Sequence, residues 1–78
     1  MAVTVYTTPT CGFCRAAKNY LSTRQIAFRE LDVTKNPEWA RELTRKSGQT
    51  GVPVIDVNGT VIVGFDVSRL NRALGIKG

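Results

Sequence analysis

The chain has 78 residues, 42% of them hydrophobic and 22% charged, which sizes it as a single domain over 1–78 with a thin core and argues against disorder. Eleven Lys and Arg against six Asp and Glu give a net charge of +5, but the basic residues are scattered from Arg15 to Lys77, so a solvated basic surface is favoured over nucleic-acid binding. Apolar runs such as Val61 to Val63 fall far short of a bilayer span, and no charged start with a following apolar stretch opens the chain, so the expectation is a cytoplasmic, unexported protein without a membrane partner.

Ala2 to Thr7 is a β-branched and aromatic run closed by Thr8, Pro9 and Thr10, and it predicts a first strand. From Gly12 to Thr23, Cys14, Ala17 and Leu21 recur at helical spacing with Arg15, Lys18 and Asn19 between them. An amphipathic helix that begins at the cysteine motif follows from that pattern. Ile26 to Val33 alternates apolar and polar residues, with a one-residue slip between Phe28 and Leu31, and predicts a second strand carrying a bulge. Asn36-Pro37-Glu38 is a helix-start signal, and the helix is expected to run to about Ser47, where Gly48 stops it behind Arg45 and Lys46. Val52 to Val57 and Thr60 to Val63 are joined by Asn58-Gly59, the strongest short-range hairpin signal. Asp66 opens a last short helix, with Val67, Leu70 and Leu74 on one face and Gly75 at its end. The order β-α-β-α-β-β-α implies an α/β fold: one mixed four-stranded sheet, its first two strands parallel through a right-handed crossover, with helices on its faces.

The chain carries two cysteines spaced C-x-x-C and no histidine. That is too few for the disulfide framework of a small secreted protein, and a structural zinc site wants four such ligands. A structural disulfide closing so small a loop would constrain the unfolded chain little. Thiol-disulfide exchange fits the pair better, because it needs one thiolate to attack and a second thiol to release the mixed disulfide. Cys11 falls at the helix start, where free N–H groups and the dipole favour negative charge, and Cys14 sits one turn on, facing the same side. Arg15 and Lys18 stand near enough to add to this, although solvating the helix surface is their simpler role.

Val5-Tyr6-Thr7 leading into Cys11-Gly12-Phe13-Cys14, then Ser47-Gly48-Gln49-Thr50-Gly51-Val52-Pro53, then Gly64-Phe65-Asp66, together resemble the glutaredoxin family over nearly the whole chain. The resemblance implies a minimal thioredoxin fold and a monomeric dithiol oxidoreductase that reduces protein disulfides or glutathione-mixed disulfides, with no tightly bound cofactor. On it, Cys11 is the nucleophile, Cys14 the resolving thiol, and Pro53 a cis-proline facing the site. Val52 would pair its backbone with an extended substrate, as an added strand. Asp66 would cap the last helix and help hold the γ-glutamyl end of glutathione, Gln49 would meet the glycine carboxylate, and Gly64 and Phe65 belong to the same binding surface. Tyr6 and Phe13 are read as the apolar rim around the sulfur, and Trp39 with Leu43 as a helix face packed on the sheet. Without the resemblance, Pro53 reads as a strand-start proline, Asp66 as a plain N-cap and Gln49 as a polar loop residue.

The chain also departs from the family pattern. Thr8 stands where many glutathione-using members have a lysine, and Val67 where they often have a second Asp. Gly12-Phe13 replaces the usual Pro-Tyr and is similar to the Cys-Gly-Phe-Ser motif of monothiol members that share a [2Fe-2S] cluster between two subunits. An alternative reading is therefore a cluster-binding dimer, with Cys11 as each chain's ligand and two glutathione thiolates completing the set. Gly64-Phe65 resembles the short redoxins that receive electrons from thioredoxin reductase and reduce ribonucleotide reductase, although the motif continues differently after Phe65. Glutathione and a thioredoxin-reductase-type enzyme are thus the two expected electron donors, and disulfide-containing proteins the expected partners.

Overall fold

The computed structural model describes residues 2–76 and contains β1 (Val3–Thr7), α1 (Gly12–Thr23), β2 (Arg29–Asp32), α2 (Pro37–Ser47), β3 (Val54–Val57), β4 (Thr60–Val63) and α3 (Val67–Leu74) in that order. Local signals set most of these bounds. Asn36 caps α2 by accepting the Glu38 N–H at 2.9 Å, and Gly48 ends the helix in the left-handed region at φ 73°. Asp66 caps α3 by accepting the Arg69 N–H at 3.1 Å. The β3–β4 turn places Asn58 at φ 51° and Gly59 at φ 94°, the two positive values a two-residue primed turn requires, and the Gly59 N–H donates to the Asp56 carboxylate at 2.7 Å.

The four strands form one sheet in the order β2-β1-β3-β4. β1 runs parallel to β2 and antiparallel to β3, with Val5 opposite both Glu30 and Ile55, and β3 runs antiparallel to β4 with Ile55 opposite Ile62. The central strands β1 and β3 are the buried ones, and the more exposed β2 and β4 form the edges. Side chains alternate between the two faces. Val3, Val5, Ile55, Val57 and Ile62 meet Ala17 and Leu21 of α1 and Leu70 and Leu74 of α3 on one face. Tyr6, Leu31 and Val54 meet Leu43 of α2 on the other, with Trp39 packed half-buried beside them.

β2 and β3 are two or more residues shorter than the sequence pattern implies. The slip between Phe28 and Leu31 is not a bulge: Gln25 takes φ 59°, the Ile26 N–H still bonds the Leu21 carbonyl at 2.9 Å, and β2 starts only at Arg29. Ile26 and Phe28 pack on the core from a lead-in whose backbone lies off the ladder, which explains why their spacing does not match a strand. β3 starts at Val54 rather than Val52, because Pro53 has no N–H to donate and the Val52 carbonyl is engaged elsewhere.

Candidate active site

β1 ends at Thr7 in the middle of the sheet, and the turn Thr8-Pro9-Thr10 carries the chain directly to the first residue before α1. That residue is Cys11, in extended geometry at φ −94° and ψ 113°, and its sulfur is the helix cap: Sγ accepts the Cys14 N–H at 3.1 Å. A helix start without an Asp, Asn, Ser or Thr side chain to satisfy its N–H groups thus uses a sulfur instead. Cys11 is half-buried, whereas Cys14, one turn into α1, is 1% exposed, and both are free thiols. Burial, reinforced by its hydrogen bond with Cys11, pushes the Cys14 thiol up to about 12, against smaller opposing effects of the Thr8 backbone and the Lys18 ammonium. One sulfur is therefore reachable, and the other is held back as a protonated thiol.

The loop before β3 completes the site. The Val52–Pro53 bond is cis, the form the resemblance implied, and the Cys11 thiol donates to the Val52 carbonyl across 3.7 Å. Gly64, at the end of β4, donates its N–H to the Pro53 carbonyl at 2.8 Å, which ties the Gly64-Phe65-Asp66 segment to the same end of the sheet. Phe13 stands 70% exposed between the two cysteines, a large apolar side chain open to solvent there. Asp66 is at the start of α3, where it both caps the helix and pairs loosely with Arg69 at 3.7 Å.

Three of the sequence-derived site residues sit differently from expectation. Tyr6 is not part of the rim. It lies on the α2 face of the sheet with no exposed surface, and its hydroxyl donates to Glu42 and accepts from Lys46 Nζ at 2.8 Å, because the β1 alternation that turns Val5 and Thr7 toward α1 turns Tyr6 away. Gln49 is folded into its own loop: its side-chain N–H groups donate to Ser47 Oγ and the Gly51 carbonyl, both at 3.0 Å, and its side-chain oxygen accepts the Gly51 N–H. The amide is fully used in shaping its own loop. Phe65 turns its ring edge-on to Tyr20, with centroids 5.7 Å apart, and packs on the core between α1 and α3. The hydroxyl of Tyr20 in turn donates to the Asn71 side chain.

Two ionic clusters flank this framework, and neither was legible in the sequence. On the α1 face, Glu30 accepts from Thr7 Oγ1 at 3.0 Å and pairs with Lys18 at 2.8 Å, one helical turn beyond Cys14. On the α2 face, Lys46 pairs with Asp56 at 2.7 Å and Glu42 at 3.2 Å around the Tyr6 hydroxyl. Burial raises the Tyr6 phenol, and its bond to Glu42 adds to the effect. Burial alone would lower Lys46, but its bonds to Asp56, Tyr6 and Glu42 outweigh that and hold the ammonium above its ordinary value. Tyr6 and Lys46 hold the Glu42 carboxyl below its usual range, and Lys18, then Thr7, do the same for Glu30.

A carboxyl whose pKa is depressed by folding adds stability above its unfolded value, near ~4.3, and loses it as pH falls through the lower folded value. The urea midpoint should accordingly be flat near neutrality and drop between about pH 4 and pH 2. Glu42→Gln, which keeps the side-chain shape but not the charge, should make that drop shallower. Identical midpoints at pH 7 and pH 3 would show that these carboxylates carry no net folding energy.

A glutaredoxin family model matches residues 3–62, a span that takes in both cysteines, the Val52–Pro53 turn, the first three strands and most of β4. The chain belongs to the glutaredoxin family. Among relatives, this glutaredoxin is 35% identical over 72 residues to a glutaredoxin-like 8.6 kDa protein of a rubredoxin operon in Clostridium pasteurianum, covering 92% of this chain and 96% of that one. Its fold superposes on the crystal structure of the T8A mutant of the thioredoxin-like protein BC3987 with a TM-score of 0.90 at 28% identity, covering 96% of both chains. It superposes on the glutaredoxin-like NrdH-redoxin of Escherichia coli with a TM-score of 0.80 at 32% identity, covering 92% of this chain and 93% of that one. The architecture is the thioredoxin fold in its β-α-β-α-β-β-α form. Among the described residues no helix is long and apolar enough to cross a membrane, and no group of three or more His, Cys, Asp or Glu is arranged to hold a metal ion.

Proposed function

We propose that this glutaredoxin is a dithiol oxidoreductase that reduces protein disulfides through Cys11 and Cys14. The observation that carries the reading is the asymmetry of the pair: a half-buried Cys11 sulfur at a helix start, accepting an N–H, over a buried and protonated Cys14. In the first step the Cys11 thiolate attacks one sulfur of the substrate disulfide, forming a mixed disulfide and expelling the other sulfur as a thiolate, which takes a proton from water. Cys14 then gives up its proton and attacks the Cys11 sulfur. The Cys11–Cys14 bond forms, the bond to the substrate breaks, and the second substrate thiolate leaves with its electron pair and is protonated. Two electrons and two protons have passed to the substrate. Both thiols belong to one chain, so a turnover needs no second copy, and the pair would work in the reducing cytoplasm.

Of the two donors, a thioredoxin-reductase-type enzyme is the better supported. Thr8 and Val67 each take the place of a charged partner for glutathione, and Gln49 has its amide tied into its own loop. A charge-assisted hydrogen bond is typically worth ~1.5–3 kcal/mol, so each missing contact weakens glutathione binding by roughly ten- to a hundredfold. The NrdH-redoxin of Escherichia coli, 32% identical to this chain, is described as having a thioredoxin-like activity profile. The cluster-binding alternative, motivated by Gly12-Phe13, would use Cys11 of two chains with two external thiolates, whereas the dithiol reading needs only the Cys11–Cys14 pair of one chain. The test is a side-by-side assay of the oxidised protein with NADPH, thioredoxin reductase and a protein disulfide, and with NADPH, glutathione reductase and glutathione. Turnover at least tenfold faster in the first system is the expected result. Brisk reduction by glutathione with none by thioredoxin reductase would overturn the donor assignment, and no disulfide reduction in either would overturn the function.

A further inference from the structure

β4 is an outer strand, so one of its edges has no neighbouring strand among the described residues. Antiparallel pairing alternates residues that bond the partner strand with residues that bond outward. The bond from the Gly64 N–H to the Pro53 carbonyl sets the phase of that alternation: with Gly64, Ile62 and Thr60 bonding toward β3, the N–H and C=O groups of Val61 and Val63 face the open edge. α3 overhangs this edge. Between them lies an open groove of about 460 Å³ lined by Thr60, Val61, Ile62, Arg69, Arg72 and Ala73. No acidic residue lines it. Arg72 is exposed and has no ion-pair partner among the described residues, and Arg69 has only Asp66 at 3.7 Å, with both side chains well solvated. On the opposite face of the same edge, Val63 is 48% exposed, a large apolar side chain without cover.

We infer that this groove receives an extended acidic segment of the protein substrate, which adds to β4 as a fifth strand with its acidic side chains under Arg69 and Arg72. The inference rests on the proposed reduction of protein disulfides and narrows which proteins are reduced. An added strand would alternate its side chains between the two faces, like β4 itself. Residues on the α3 face would meet the two arginines, and those on the other face would meet Val61 and Val63. The substrate signature is therefore a short run of Asp or Glu alternating with apolar residues. The groove is also continuous with the site, since β4 ends at Val63 and the following residue, Gly64, is bonded to Pro53 beside Cys11. At ~3.3 Å per residue, a segment running from Thr60 to Val63 would bring a disulfide to the sulfur within a few residues of the acidic run.

The test separates docking from chemistry. The probes are cysteine-free peptides Val-Glu-Val-Glu-Val, Val-Ser-Val-Ser-Val and Val-Lys-Val-Lys-Val, titrated into ¹⁵N-labelled protein. The acidic peptide should shift the Val61 and Val63 amides and slow their hydrogen exchange, the Lys peptide should do neither, and the shifts should fade as salt screens the arginines. Each exposed arginine pair contributes roughly two- to fivefold, so the doubly reversed R69E/R72E protein should lose the acidic peptide by about tenfold and gain the Lys peptide. That gain shows the variant is folded. With the same three segments each joined to a disulfide, turnover should favour the acidic one by about tenfold in the native protein and the basic one in the variant. Equal binding of all three peptides, shifts confined to residues away from β4, or β4 shifts that grow with protein concentration in the absence of peptide, which would place a second copy on the edge, would each overturn the inference. Failure to reduce any of the disulfides would count instead against the oxidoreductase function, with the amide titration still deciding the groove.

Discussion

Cys11→Ser should leave no measurable disulfide reduction with any substrate or donor, a loss of at least about four orders of magnitude against a median enzyme turnover near ~10 per second. A serine hydroxyl is not ionised near neutral pH and forms no disulfide, so both the attack and the mixed disulfide disappear with the sulfur. The fold should survive, since Ser is itself a good helix cap and can accept the Cys14 N–H in place of Sγ. Cys14→Ser should behave differently. Its side chain is buried behind Cys11, and without it the mixed disulfide has no internal thiol to resolve it. Incubation with a protein disulfide should then accumulate a one-to-one covalent adduct, visible by mass spectrometry and released by dithiothreitol. Full activity in Cys11→Ser, or adducts forming through Cys14 in that variant, would reverse the assignment of roles.

The largest loss of stability is expected from Leu21→Ala. Leu21 has no exposed surface and packs with Val3, Val5, Ile55 and Leu70 where α1 lies on the sheet. Truncating a buried Leu costs about 2–5 kcal/mol, the transfer energy of the lost carbons plus the cavity left behind. A domain of this size holds only ~4–12 kcal/mol in total, so the change removes a large share of it and should lower Tm by roughly 10–30 °C. Ser22→Ala, on the exposed side of the same helix turn, is the control and should stay within about 0.5 kcal/mol. Because α1 carries Cys11 at its first turn, activity at rising temperature should be lost together with the helix in Leu21→Ala. A urea-derived loss below about 1 kcal/mol would show that this end of the core relaxes to fill the gap.

The residues whose structure depends on their immediate neighbours were readable from the chain alone. Asn36 and Asp66 cap helices because their side chains reach N–H groups two or three residues on, and Asn58-Gly59 turns a hairpin because both positions accept positive φ. The placement of Cys11 at a helix start, and with it the division between an accessible and a buried thiol, follows from the same local rules. Tertiary structure decided whatever joins distant segments. The Cys11 thiol meets a carbonyl 41 residues away, and Tyr6 meets Glu42 and Lys46, 36 and 40 residues away. No spacing rule specifies such pairs, because they depend on the strand order β2-β1-β3-β4 and on which face each side chain turns to. Tyr6 is the clearest case. Its position two residues before the turn to the cysteine motif suggested a place at the sulfur, but the two-residue period of β1 sends it to the α2 face, into a cluster of charges that only the folded sheet assembles. Gln49 is placed by the opposite kind of rule: its loop is short enough for the side-chain amide to bond its own backbone at Gly51. The open edge of β4 likewise exists only once β3 has taken its other side, which is why the arginines of α3 read as ordinary surface charge in the sequence and as a lined groove in the fold.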